Sequence, residues 1–274
     1  MPLITWEDTL GCLEVREVGD DLYTAENIPM PYHRIFGGQL LAQASAVSSA
    51  VGEGKSVKSM HVVFPAEGDL SEPVEYALRR LRSGRTFAAL GVDAVQASRG
   101  SILSATVSLH APEEGFSHQV KAPALGGPEE ASSTDLSMIP WETRVVGGVD
   151  LAAREAGPPE YAFWMRTPSL PEGQALHQGL LAHATDLTAI GTALRPQAGL
   201  GEADAPERIH SAVTSHTIWF HRPFRVDDWL LIQQRSPVAA GSRGFAQGDV
   251  FTASGHLVAS FAQESLLRLR DSPA

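Results

Sequence analysis

Thiol chemistry is almost absent from this chain: Cys12 is the one cysteine among 274 residues. A single thiol closes no internal disulfide and builds no cysteine-rich zinc site, and it fits a reducing compartment. The opening MPLITWEDTLGCLEV has no basic stretch running into an apolar one, so no signal peptide is expected. Long apolar runs are missing too; none approaches the roughly 18–20 residues that cross a bilayer. The expectation is a cytoplasmic protein with no membrane span. Basic charge is scarce, 21 Lys+Arg against 32 Asp+Glu, a net of −11. Covering a nucleic-acid backbone takes many clustered Lys and Arg, so no nucleic-acid partner is expected, although a few arginines suffice for a small polyanion.

Several common catalytic signatures are also lacking. There is no G-x-S-x-G elbow, no G-x-x-x-x-G-K-[ST] loop, no G-x-G-x-x-G and no H-E-x-x-H. These absences argue against an α/β-type serine hydrolase, an NTPase and a zinc protease. The 10 histidines are scattered, with no i, i+4 pair beside an acid. Neither a metal nor a cofactor is expected.

What is present is a globular composition, 43% apolar and 19% charged, long enough for two domains of roughly 100–150 residues each. From Cys12 to Ile28 two short alternating runs flank Gly19-Asp20-Asp21, which reads as a hairpin. FGGQLLAQASAVSSAVG (36–52) places Leu40, Leu41, Ala44, Val47 and Val51 near helical spacing. Its other face is Ala and Ser, so the helix is expected to be buried on most sides. Strand-like runs follow to residue 111, broken at Gly84 and Gly100. Residues 113–140, with prolines at 123, 128 and 140 and Gly126-Gly127, read as a linker.

The plan then recurs. HQGLLAHATDLTAIGTAL reads as a second buried helix, followed by three strand-like segments. Leu40 and Leu41 align with Leu180 and Leu181, 140 positions on, which sets Asp186 against Ala46. In the later strands Phe64 aligns with Phe220. Segment order is the same in both halves, which points to an internal duplication. One buried helix with an antiparallel meander is the hotdog plan. The expected fold is therefore α+β, a double hotdog of two helix-wrapping antiparallel sheets. Its units are an N-terminal hotdog over 1–112, the linker, and a C-terminal hotdog over 141–274.

Few residues in this pattern could carry chemistry. Asp186 sits mid-helix among Ala184, Leu187, Ala189 and Ile190, and a carboxylate in that setting needs a partner or a task. The alternative is a solvated helix face. Gln263 lies in the otherwise apolar VASFAQ, where a buried amide would have to satisfy three hydrogen-bonding groups; the alternative is an exposed edge strand. Thr214, Ser215 and Thr217 share one strand, with Ser215 and Thr217 facing one way and Thr214 and His216 the other. Gly37-Gly38 opens the first helix, where free N–H groups suit a carbonyl oxygen or oxyanion. Arg243-Gly244, in SRGF, and the arginines of RRLRSGR (79–85) could hold phosphates or simply face solvent.

These segments together resemble the acyl-CoA thioesterase II family of double-hotdog enzymes. The likeness lies in RIFGGQLLAQA (34–44), LHAPEEGFSHQ (109–119), ATDL (184–187), WFHRPF (219–224), SRGF (242–245) and VASFAQE (258–264), in that order along nearly the whole chain. The resemblance implies hydrolysis of an acyl-CoA to free acid and coenzyme A. In the family an Asp, a Thr or Ser, and a Gln hold the attacking water. Asp186 matches the Asp and Gln263 the Gln. Counting back from WFHRPF without a gap puts Val213 where the hydroxyl belongs, with Thr214 and Ser215 next. Either Thr214 enters by a one-residue slip, or Ser215 serves from the same face, or the site is weakened. An acyl tunnel is expected between helix and sheet, with Phe36, Phe64 and Trp219 as candidate lining. A homo-oligomer is compatible with this fold. Three rivals stand beside the thioesterase: a hotdog hydratase or dehydratase using His183 with Asp186, an acyl-CoA binder without turnover, suggested by Val213, and an interaction protein with no ligand.

Overall fold

The computed structural model describes residues 4–30, 32–136 and 138–270. After a short helix α1 (Trp6–Gly11), closed at its start by a reciprocal Thr5–Asp8 capping box, the expected hairpin forms from β1 (Arg16–Gly19) and β2 (Leu22–Ala25). Asp21 takes the left-handed turn position at φ 53°. Helix α2 (Gly37–Ala50) follows, with no charged residue and most of its length buried. Its two glutamines are satisfied internally, whereas the Ser45 and Ser49 hydroxyls are buried without a partner among the described residues. Gln43 accepts from the Tyr76 hydroxyl at 2.7 Å and donates to Cys12 O and Glu26 O, and Gln39 accepts from Ile28 N. This is how a helix polar on no face tolerates two buried glutamines.

The alternating runs that follow become β3 (Ser56–Val63), β4 (Val74–Ser83), β5 (Phe87–Gln96) and β6 (Gly100–His110). Residues 111–127 carry neither helix nor strand. They are pinned to the second half by Gln119, which donates to Gly255 O at 2.7 Å and accepts from Leu257 N at 3.2 Å. The second half contains β7 (Ser132–Ser133), β8 (Glu142–Val145), β9 (Glu160–Arg166), α3 (Gln174–Thr185), α4 (Ala189–Leu194), α5 (Ala205–Arg208), β10 (Ile209–Phe220), β11 (Leu230–Ala240), β12 (Arg243–Thr252) and β13 (Leu257–Leu269).

The two expected sheets are joined. The thirteen strands of the described residues form one antiparallel sheet in the order β1-β2-β4-β5-β6-β3-β10-β13-β12-β11-β9-β8-β7. At its centre β3 pairs with β10, Thr217 opposite His61 and Ile218 opposite Met60. Two strands that would be exposed edges thus satisfy each other. Outward from this seam the halves mirror one another: β6, β5, β4, β2, β1 on one side and β13, β12, β11, β9, β8 on the other. The two long helices α2 and α3 pack together, and one apolar core runs through both halves from Ile4 to Phe261. Among the described residues no helix is long and apolar enough to cross a membrane.

The second helix differs from its expected form. The run 177–194 is two helices, not one: α3 ends at Thr185 and α4 begins at Ala189. Asp186 is the C-cap of α3, at φ −82° and ψ −17°, and Thr188 leaves helical geometry at φ −119° and ψ 0°. Thr185 and Thr192 turn their hydroxyls onto Ala182 O and Thr188 O, and Gln234 donates to the hydroxyls of Thr188 and Thr192. Local side-chain bonds of this kind compete with the helix ladder and stabilise the break.

Candidate active site

The end of α3, from the second half, meets the start of α2, from the first. Phe36, the N-cap of α2, offers no side-chain cap, so the first N–H groups of the helix need another partner. The Asp186 carboxylate supplies it, accepting from Gly38 N–H. The helix dipole favours negative charge at this end. Both glycines are required by the closeness of the approach. A Cβ at position 37 would lie 2.6 Å from Asp186 Oδ2 and 2.6 Å from Val213 Cγ1, and one at position 38 would lie 2.5 Å from His183 O.

Asp186 is only 6% exposed. Burial pushes its carboxyl from the usual 3.8 up to about 7, against the opposing pull of the Gly38 N–H, the Gln263 side chain and the nearby Arg34 guanidinium. Loss of hydration is the dominant cause. The group therefore exchanges a proton near neutrality, which suits a general base or acid.

Gln263 is buried in the interior strand β13, not on an edge. Its Nε2 donates to Ser265 Oγ at 3.2 Å and to the Asp186 carboxylate, and its Oε1 lies 2.8 Å from His216 Nδ1. His216 in turn places Nε2 3.1 Å from Thr185 Oγ1.

A β-bulge interrupts β10 at the candidate hydroxyl residues. β10 pairs with β13 as Val213↔Ser265 and then Ser215↔Glu264, leaving Thr214 as the extra residue. The bulge brings Val213 and His216, three apart, onto the same inner face, which regular alternation would forbid. Val213 points at Gly37, where its Cγ1 and Asp186 Oδ2 would both meet an added Cβ. Thr214 donates its hydroxyl to Glu264 O at 2.9 Å. Ser215 lies on the outer face with Thr217 and Trp219, away from Asp186.

The structure thus gathers Asp186, Gln263, Gly37, Gly38 and Val213, and leaves Ser215 outside. Arg243 is a surface residue, 62% exposed and 3.2 Å from Glu264. Gly244 is packed under α4, where a Cβ would lie 3.0 Å from that of Ala193. Of the expected lining, Phe36 meets the His183 ring edge-on at 5.0 Å and Phe64 packs against the core. Trp219 does not line a tunnel: it is on the outer face, 38% exposed and edge-on to His61. His183 stands between Phe36 and Trp141, with neither ring nitrogen partnered by the described residues, and burial pushes it down to about 4. Arg34 was not singled out from the sequence. It bonds Ser211 O at 2.6 Å and pairs with Glu67 beside the site; its place in RIFGGQ, two residues before Phe36, was the available signal.

Residues 25–110 match the family described as Acyl-CoA thioesterase N-terminal domain, and residues 110–267 match Acyl-CoA thioesterase C-terminal domain. The chain belongs to the acyl-CoA thioesterase II family. It is 31% identical to acyl-CoA thioesterase 2 of Haemophilus influenzae, over 94% of this chain and 96% of that protein. It is 29% identical to human acyl-coenzyme A thioesterase 8, over 94% and 88%. Among solved structures, acyl-CoA thioesterase II TesB2 of Mycobacterium marinum is 30% identical, with a TM-score of 0.81 over 97% of this thioesterase-family chain and 98% of that one. A hot dog fold protein of Alicyclobacillus acidocaldarius shares the fold at 17% identity and TM-score 0.76.

Proposed function

We propose that this protein hydrolyses an acyl-CoA thioester to a free acid and coenzyme A by direct attack of water. The observation that carries the reading is the Asp186 carboxylate, buried between the N-terminus of α2 and the Gln263 amide and poised near pH 7. In its ionised form it takes a proton from the water as the oxygen adds to the thioester carbonyl. The Gly37 N–H, without an intrahelical partner at the first position of α2, faces the developing oxyanion. Collapse of the tetrahedral intermediate breaks the C–S bond, and the proton held by Asp186 returns to the leaving thiolate. Gln263 holds the carboxylate in place. With Val213 beside it, the water has one fewer hydroxyl to orient it than the family arrangement provides. Arg243, exposed at the surface, is the proposed contact for a coenzyme A phosphate; Gly244, buried under α4 between two paired strands, is not one. A cytoplasmic location and a homo-oligomer complete the reading.

Thiol release from a series of acyl-CoAs, short to long, tests it with Asp186→Asn alongside. Turnover that collapses in the variant is the expected result. A second reading, tight acyl-CoA binding without turnover, is motivated by Val213 and predicts binding in both proteins with no thiol release in either. The hydratase reading is not favoured, because the His183 ring is packed between Phe36 and Trp141, with no hydrogen bond to Asp186.

A further inference from the structure

We propose that His216 is a positioning residue for this reaction, holding the Gln263 amide with its N–H groups toward Asp186; the proposal rests on the Asp186 reading above. His216, Gln263 and Thr185 are all buried, so their hydrogen bonds must close among themselves. Burial pushes the His216 imidazole down to about 4, so at neutral pH it carries one N–H and one lone pair.

Two proton arrangements can be written. In the first, the Thr185 hydroxyl donates to Ala182 O at 2.9 Å, and His216 must then donate from Nε2 to Thr185. That leaves the Nδ1 lone pair facing Gln263 Oε1 at 2.8 Å, acceptor against acceptor. Relief requires the amide to turn over, which sets its oxygen against the Asp186 carboxylate. In the second, Thr185 donates to Nε2 at 3.1 Å and Nδ1–H donates to Oε1. The amide nitrogen then has one hydrogen for Ser265 Oγ and one for Asp186. This arrangement gives His216 and Gln263 partners of the right kind beside an ionised Asp186, with the Thr185 hydroxyl drawn from Ala182 O to Nε2. The Phe261 ring lies nearly parallel to His216, 9° between planes, and holds it in register. The titratable and charged groups around Asp186 are His183 on its own helix, His216 across the sheet, and Arg34; His216 reaches it through a single side chain, Gln263.

The test compares His216→Asn, His216→Gln and His216→Phe in the full chain, with Gln263→Ala as reference. An Asn side chain places its N–H₂ near the original Nδ1, and a Gln side chain near Nε2. Both remove the ring, so a general packing defect lowers both alike. His216→Asn should keep kcat within about threefold of the starting protein. His216→Gln and His216→Phe should lose at least about tenfold in kcat, the equivalent of one hydrogen bond, with KM nearly unchanged and the acidic limb of the pH profile moved upward. In the Gln263→Ala background His216→Gln should cost nothing further. Equal impairment of the Asn and Gln variants, or full kcat in His216→Phe while Gln263→Ala is inactive, overturns the proposal. Full activity in Gln263→Ala overturns the underlying reading, and this one with it. The ring ¹⁵N shifts of His216 supply a check that needs no variant: a proton on Nδ1 supports the proposal, and one on Nε2 overturns it.

Discussion

Replacing Asp186 with Asn should abolish turnover and stabilise the protein. The carboxyl rises from 3.8 to about 7 on folding, and each tenfold in proton affinity is worth about 1.4 kcal/mol. Ionised, it therefore costs folding about 4 kcal/mol. Because the folded value is the higher one, its stability contribution is complete below pH ~4, declines as pH rises through ~7 and is flat beyond. The same relation puts the cost at about 1.6 kcal/mol at pH 5 and about 4 kcal/mol at pH 8. Asn retains an oxygen for the Gly38 N–H and carries no charge, but it misorients one hydrogen bond with Gln263, a loss of about 1 kcal/mol. The variant's advantage should therefore widen by about 2–3 kcal/mol between pH 5 and pH 8. Denaturant titrations of both proteins at those two pH values read the difference, and thiol release read in parallel should be lost. An Asn variant less stable than the parent at pH 8, or a difference that does not change with pH, would refute the claim that burial of this charge dominates the site.

Further predictions follow from the same geometry. In the parent, kcat/KM should rise with pH through about 7 as Asp186 ionises; a limb near 4 would place the general base elsewhere. Gly37→Ala puts a methyl 2.6 Å from Asp186 Oδ2 and Val213 Cγ1, so kcat should fall by about 10²-fold, and unchanged kinetics would mean that the start of α2 is not part of the site. Val213→Thr keeps the shape of the side chain and restores a hydroxyl beside Asp186, so kcat should rise by up to about tenfold, one hydrogen bond's worth; no gain with the fold intact would show that the water is already held without it.

Much of this was legible in the residues. The hairpin over 12–28 shows in alternating runs around Asp20-Asp21, and α2 shows in Leu40, Leu41, Ala44 and Val47 at helical spacing. Asp186 and Gln263 stood out because a charge and an amide among apolar neighbours demand partners. What stayed hidden depends on contacts between distant segments. Polar residues are scattered through the run 177–194, so none of them by itself marks the end of α3; the break is made by threonine hydroxyls and by Gln234, 46 positions from Thr188. The bulge at Thr214 adds one residue relative to a partner strand, and a single strand read alone cannot show that. His216 looked like any strand histidine until Gln263, Thr185 and Phe261 surrounded it.

The mirror order of the strands implies two equivalent places for a site, and the side chains show why only one can be chemical. Aligned at 140 positions, Thr185 and Asp186 correspond to Ser45 and Ala46, and Gly37 and Gly38 to His177 and Gln178. At offsets of 156 and 155, His216 and Gln263 correspond to Met60 and Ser108. The second place therefore lacks the acid, the amide and the imidazole together. Its glycine pair is replaced by residues with structural bonds: Gln178 donates to Val57 O at 2.7 Å, and His177 accepts from Val226 N at 3.1 Å. The acid, amide and imidazole are all missing there, and Ser45 Oγ, His177 Nε2 and Gln178 Oε1 stay buried without a hydrogen-bond partner among the described residues. The surviving site takes its helix N-terminus from the first half and its acid, amide and imidazole from the second. Neither half alone can form it, so separately expressed halves should each be inactive, and activity should return only when they reassociate along the β3–β10 seam.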